Sequence, residues 1–110
     1  ARSKPCAMAA NARPASNRRA VTPTELRNAS SPDGLPPLLA ALWHDQRGDW
    51  ERAHEITQGV SGAAGARVHA YLHRKEGDHG NASYWYARAG TTMPACSLDE
   101  EWDLLVEELS

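Results

Sequence analysis

The residue type in this chain best suited to chemistry is histidine, which occurs five times in 110 residues. His69 and His73 are four residues apart, so on a helix both imidazoles project from one face and can ligate the same metal ion. His54, which precedes Glu55, would approach that face if the helices that carry these residues pack antiparallel. The pattern is compatible with a metal site of three histidines, or of two histidines and a glutamate.

A structural role for these histidines is the interpretation that the sequence favours. Ala70 follows His69, so the glutamate of the HExxH zinc motif is missing. His73 also takes the same place as His44 in an internal repeat, which is typical of a packed ring bonded to a nearby carbonyl or carboxylate. We therefore predict no metal and no cofactor, and metal binding by His54, His69 and His73 is the alternative.

An internal repeat with a period of 29 residues organises the middle of the chain. Residues 41–53 and 70–82 agree at five positions, which pair Ala41 with Ala70, His44 with His73, Gly48 with Gly77, Asp49 with Asp78, and Ala53 with Ala82. Glycine ends a helix, aspartate caps the next one, and alanine lets two helices approach closely. The repeat therefore predicts two helix–turn–helix hairpins.

The pattern as a whole predicts an all-α domain of about five helices, arranged as two stacked antiparallel helical hairpins plus a C-terminal capping helix. The first four helices are expected at about residues 35–47, 50–58, 66–76 and 81–89, with a small-residue linker at 59–65. The last helix has the clearest start, because Ser97 and Glu100 have the spacing of a capping box.

The distribution of charge divides the chain into two parts. Residues 1–33 hold six basic and two acidic residues, whereas residues 34–110 hold six basic and twelve acidic residues. Large apolar side chains are scarce in the first part, so we predict a disordered basic tail over 1–33 and a helical domain over 34–110. We expect a cytoplasmic location, although the composition of the tail also fits an organellar import signal.

Several classes of function lack support in the sequence. No apolar run approaches the roughly 20 residues that a membrane helix needs, so we expect no membrane partner. The acidic domain would repel phosphate, so we expect no nucleic-acid partner. The motifs of serine hydrolases and of nucleotide-binding loops are missing, and the cysteines Cys6 and Cys96 are not expected to pair.

The second hairpin resembles a tetratricopeptide repeat. The residues in the places of that motif are Ala70, Gly77, Ala82, Tyr86, Ala89 and Pro94. In the first hairpin Ala41, Gly48, Trp50 and Ala53 fit the motif, whereas Thr57 and Val60 depart from it. The resemblance covers about residues 35–94, and the chain is also similar to short bacterial proteins without an assigned activity.

The resemblance implies a protein-interaction or scaffolding module without catalytic activity, which binds a protein or peptide in a groove lined by the first helix of each hairpin. The candidate binding residues are His44, Arg47, His69, His73, Arg74 and Tyr84. The acidic last helix of the chain could instead fill this groove itself. Two other functions remain open: a histidine-based metal- or small-ligand-binding protein or small enzyme, and a structural accessory subunit of a larger complex.

Overall fold

The computed structural model describes residues 21–110, and all regular secondary structure in that range is α-helical. Six helices follow in order: α1 (Pro23–Asn28), α2 (Pro37–Gln46), α3 (Trp50–Gln58), α4 (Gly62–Glu76), α5 (His79–Arg88) and α6 (Leu98–Leu109). Helices α2 and α3 form one antiparallel hairpin and α4 and α5 the other, while α6 packs on α2 and α4. The predicted all-α fold of two hairpins and a C-terminal helix is confirmed. Within residues 21–110, no helix has the length and apolar character needed to cross a membrane.

Helix α1 lies in the stretch for which the sequence predicts a disordered tail. Thr22 and Glu25 cap it reciprocally, since the side chain of each accepts a hydrogen bond from the backbone N–H of the other. Leu26 is buried in the main core and Arg27 forms an ion pair with Asp103 of α6. The structure thus adds this short helix to the about five predicted, and the predicted disordered tail is wrong for residues 22–28. The predicted tail over residues 1–20 lies outside the described residues.

The two hairpins turn in the same way, as the internal repeat predicts. Gly48 and Gly77 adopt φ values of +86° and +91°, a left-handed conformation in which a residue without a Cβ is favoured. Asp49 and Asp78 then accept hydrogen bonds from the backbone N–H three residues later and begin α3 and α5. The four repeated alanines, Ala41, Ala53, Ala70 and Ala82, are all fully buried.

Helix α4 begins four residues earlier than the sequence predicts, inside the stretch taken for a linker. Its first turns lie so close to the preceding loop that a Cβ on Gly65 would stand 2.1 Å from the carbonyl oxygen of Val60. Glycine at position 65 therefore serves the close packing of this helix against the loop.

Helix α6 covers the first helix of both hairpins. Trp102, Leu105 and Val106 are buried in the core, and the Trp102 indole N–H donates to the carbonyl oxygen of Leu42 at 3.1 Å. At the end of the segment before α6, Cys96 is buried and disulfide-bonded, contrary to the sequence expectation, and Cys6 lies outside the described residues.

A fully buried carboxylate, that of Glu101, attaches α6 to the second hairpin. It accepts hydrogen bonds from Arg67 at 2.6 Å, from Arg74 at 2.7 Å and from the Tyr86 hydroxyl at 2.6 Å. Burial, and then the bond to Glu101, raise the pKa of Tyr86, so its hydroxyl keeps the proton that it donates. The charge of Glu101 is thus compensated by two guanidinium groups and one hydroxyl.

The close contact at Gly65 leads to a testable difference between two glycines. We expect Gly65→Ala to lower the free energy of unfolding by about 1–3 kcal/mol, because the new methyl group would overlap the Val60 backbone. Gly80→Ala is the control, since a Cβ there meets no atom within 4 Å, and we expect it to be neutral or stabilising by up to about 1 kcal/mol. Urea unfolding of both variants measures the difference, and equal stabilities would contradict the packing.

The Glu101 network leads to a second prediction. We expect Glu101→Gln to cost about 3 kcal/mol or more of unfolding free energy, because two partly buried arginines lose their counter-charge. Glu107→Gln, on the exposed side of α6, should change it by less than about 0.5 kcal/mol. Thermal unfolding of the two variants tests this, and a comparable loss in both would show that Glu101 is not the anchor of α6.

Candidate metal centre

Three histidines converge at the junction of the two hairpins. His54 lies on α3, whereas His69 and His73 lie one turn apart on α4, and one ligating atom of each lies within 4.8 Å of the others. The closest pair is His54 Nε2 and His69 Nε2, at 3.0 Å. His69 and His73 are buried and His54 is half-buried. His69 and His73 share one face of α4, and His54 of α3 meets that face, as expected for helices that pack antiparallel.

The separation of the His54 and His69 nitrogens is close to what a metal needs. Two imidazoles on one tetrahedral zinc ion, with Zn–N distances of about 2.0–2.1 Å, have their nitrogens about 3.3 Å apart. Without a metal, a single hydrogen bond between one protonated and one unprotonated nitrogen accounts for the observed 3.0 Å. The two nitrogens therefore lie within a few tenths of an ångström of the spacing that shared ligation needs.

Glu76 orients the third ring of the cluster. Its carboxylate accepts a hydrogen bond from His73 Nδ1 at 2.7 Å, one helical turn further along α4. The proton on Nδ1 leaves Nε2 of His73 as the nitrogen with a free lone pair. A carboxylate behind a ligating histidine is a recurrent feature of metal sites, because it sets the tautomer and makes the ring a better ligand.

Two tryptophans enclose the cluster. Trp50 stacks on His54 with ring centroids 4.8 Å apart, and Trp85 stacks on His69 with centroids 4.0 Å apart. The Trp50 indole N–H donates to the carbonyl oxygen of Leu72 at 2.7 Å, which locks its orientation. The rings of His54 and His69 are thus held between flat aromatic walls from α3 and α5.

The surroundings favour neutral imidazoles. Burial lowers the pKa of His54, and the neighbouring His73 lowers it further. Burial is also the main reason that the pKa of His69 falls to about 4, followed by the proximity of His54 and His73. At neutral pH both rings therefore carry no net charge, which is the form that binds metal ions.

The six residues predicted to line a binding groove do not form one surface. His69 and His73 belong to the histidine cluster. Arg74 is bound to Glu101 and to the carbonyl oxygen of Cys96. Helix α6 packs on both α2 and α4, and of the six candidate residues Arg74 is the one that it holds.

The other predicted binding residues lie elsewhere. Arg47 donates to the carbonyl oxygen of Ala29 at 2.7 Å, and its guanidinium lies over the Trp43 ring. His44 packs edge-on against the same tryptophan. Tyr84 is exposed at 53%, the largest exposure of any large apolar side chain between residues 21 and 110.

Glu76 and the two stacked tryptophans belong to the cluster but were not predicted from the sequence. Glu55, considered there as a ligand, is exposed and paired with Arg52 at 2.9 Å, so Glu76 is the carboxylate that contacts the cluster. The spacing of three residues between His73 and Glu76 is the signal that could have found it. The spacing of four residues between Trp50 and His54 is a signal of the same kind, whereas nothing local in the sequence indicates that Trp85 stacks on His69.

Comparisons of the chain with protein-family models, with curated proteins and with solved structures found no match.

Proposed function

We propose that this protein binds one divalent transition-metal ion through His54, His69 and His73, with Zn²⁺ as the expected occupant. The observation that supports the proposal is the convergence of three imidazoles between two hairpins, with one ligating atom of each inside a 4.8 Å span. Imidazole nitrogen is a preferred ligand of zinc, and no thiolate belongs to the cluster among the described residues.

The number of protein ligands distinguishes a catalytic zinc site from a structural one. Three protein ligands leave a fourth tetrahedral position of zinc for water or a small molecule, which is typical of catalytic rather than structural zinc sites. His69 and His73 are placed by one helix, so the site needs only the α3–α4 packing to bring His54 to them. Glu76 would serve as the carboxylate that orients His73.

Metal binding is preferred here to the interaction module that the sequence favours. The residues predicted to line a peptide groove do not form one surface, and Arg74 among them is already paired with Glu101 of α6, which packs on both α2 and α4. The resemblance to tetratricopeptide hairpins stays part of the proposal, supported by the matching Gly–Asp turns and buried alanines. The proposed functional site is therefore the junction of the two hairpins rather than a peptide groove on α2 and α4.

A titration of the purified, metal-free full chain with Zn²⁺ tests the proposal. We expect isothermal calorimetry to show one ion per chain, and Co²⁺ to give the visible spectrum of a four-coordinate site. His54→Gln and His69→Gln should each weaken Zn²⁺ binding by at least about 100-fold, because each removes one direct ligand. His44→Gln and His79→Gln are matched controls, because these histidines lie outside the cluster.

Two results would contradict the proposal. One is the absence of saturable one-to-one binding of Zn²⁺, Co²⁺, Ni²⁺ or Cu²⁺ by the folded chain. The other is an equal loss of affinity in the cluster variants and the controls, which would place the metal at another group of residues. Circular dichroism of every variant separates loss of a ligand from loss of the fold.

A further inference from the structure

A cavity of about 520 Å³ adjoins the histidine cluster on the side of α5. It is lined by the end of α3, the α3–α4 loop, the first turns of α4 and two side chains of α5. His69 and Trp85 belong to its wall, so the cavity and the proposed metal site share a residue. Its volume falls in the range of small-molecule pockets, about 300–1,000 Å³.

The described wall of the cavity contains a basic side chain and no acidic one. Arg88 is the only charged side chain in the wall as the structure describes it, apart from the ionisable ring of His69. The Arg88 guanidinium lies 5.5 Å from the centre of the Trp85 ring and 5.7 Å from that of Tyr84, whose hydroxyl accepts from it at 3.4 Å. It forms no ion pair with residues 21–110. An arginine held over an aromatic ring without an acidic partner is a ready site for a carboxylate.

Part of the remaining wall is apolar and suited to the organic part of a ligand, while Thr57, Gln58 and Ser61 contribute polar surface. Val60, Ala66 and the Trp85 ring contribute apolar surface beside the position of Arg88. A single guanidinium fork matches the two oxygens of one carboxylate, while apolar surface favours a hydrocarbon or aromatic body.

We propose that this cavity binds a small organic carboxylate, with the carboxylate paired to Arg88 and the apolar body against Trp85. The inference rests on the proposed function for part of the attraction of the carboxylate, because a metal ion on His69 would add positive charge beside the same cavity. The ligand is then held by two neighbouring cations, one from the chain and one from the metal.

Benzoate is the probe, and benzamide is its uncharged counterpart of nearly the same shape. Each is titrated into the full chain with and without Zn²⁺, and the amide and indole signals of Gly65 and Trp85 are followed by NMR. We expect saturable benzoate binding with a Kd on the order of 1 mM for a fragment of this size, at least tenfold tighter than benzamide. Zn²⁺ should tighten the binding of benzoate severalfold and leave that of benzamide unchanged.

Arg88→Gln should weaken benzoate binding at least tenfold without changing Zn²⁺ affinity. Arg52→Gln is the matched control, since Arg52 is an exposed arginine of α3 outside this cavity. Zn²⁺ binding together with no Arg88-dependent benzoate binding would overturn this inference and leave the proposed function intact. Arg88-dependent benzoate binding to a chain that takes up no Zn²⁺ would overturn the proposed function and leave the cavity assignment in place.

Discussion

The arrangement of helices depends most on the buried carboxylate of Glu101. A buried charge is tolerated only where it is compensated, and here Arg67, Arg74 and Tyr86 all bind it. These donors come from α4 and α5, so the carboxylate holds α6 against the second hairpin. A second buried carboxylate, Asp45 of α2, accepts from Tyr71 and Lys75 of α4 at 2.8 and 2.9 Å and attaches the first hairpin to the same helix.

Helix α4 therefore lies at the centre of the molecule, and its different faces contact different helices. Arg67 and Arg74 are seven residues apart, close to two helical turns, and both point to α6. His69 lies about 200° around the helix from Arg67, at about 100° per residue, so the histidine pair faces away from α6 and toward α3 and α5. Fixing one face of α4 to α6 thus presents the opposite face to His54 and the two tryptophans.

The position of α6 also decides which surface is left for function. It packs on α2 and α4, the first helices of the two hairpins, and it uses Arg74 for its own attachment. The hairpin junction keeps polar side chains that serve no evident structural network beyond each other: three imidazoles and Glu76. The imidazoles of His54 and His69 are hydrogen-bonded to each other and stacked on tryptophan rings, and a metal ion could replace that hydrogen bond.

The sequence by itself determined the local parts of this protein. The Gly–Asp turns, the capping box before α6 and the shared face of His69 and His73 all depend on residues within one or two helical turns. Only the tertiary structure decided that His54 meets that face, that Glu101 captures Arg74 and that Leu26 enters the core. The hydrogen bonds among these contacts join residues 15 and 27 apart, and the Arg27–Asp103 ion pair next to Leu26 joins residues 76 apart. Their energy comes from burial and charge compensation across several helices. The spacing of residues within one helix does not predict such contacts, because the same helices can pack with different faces together until the whole core is assembled.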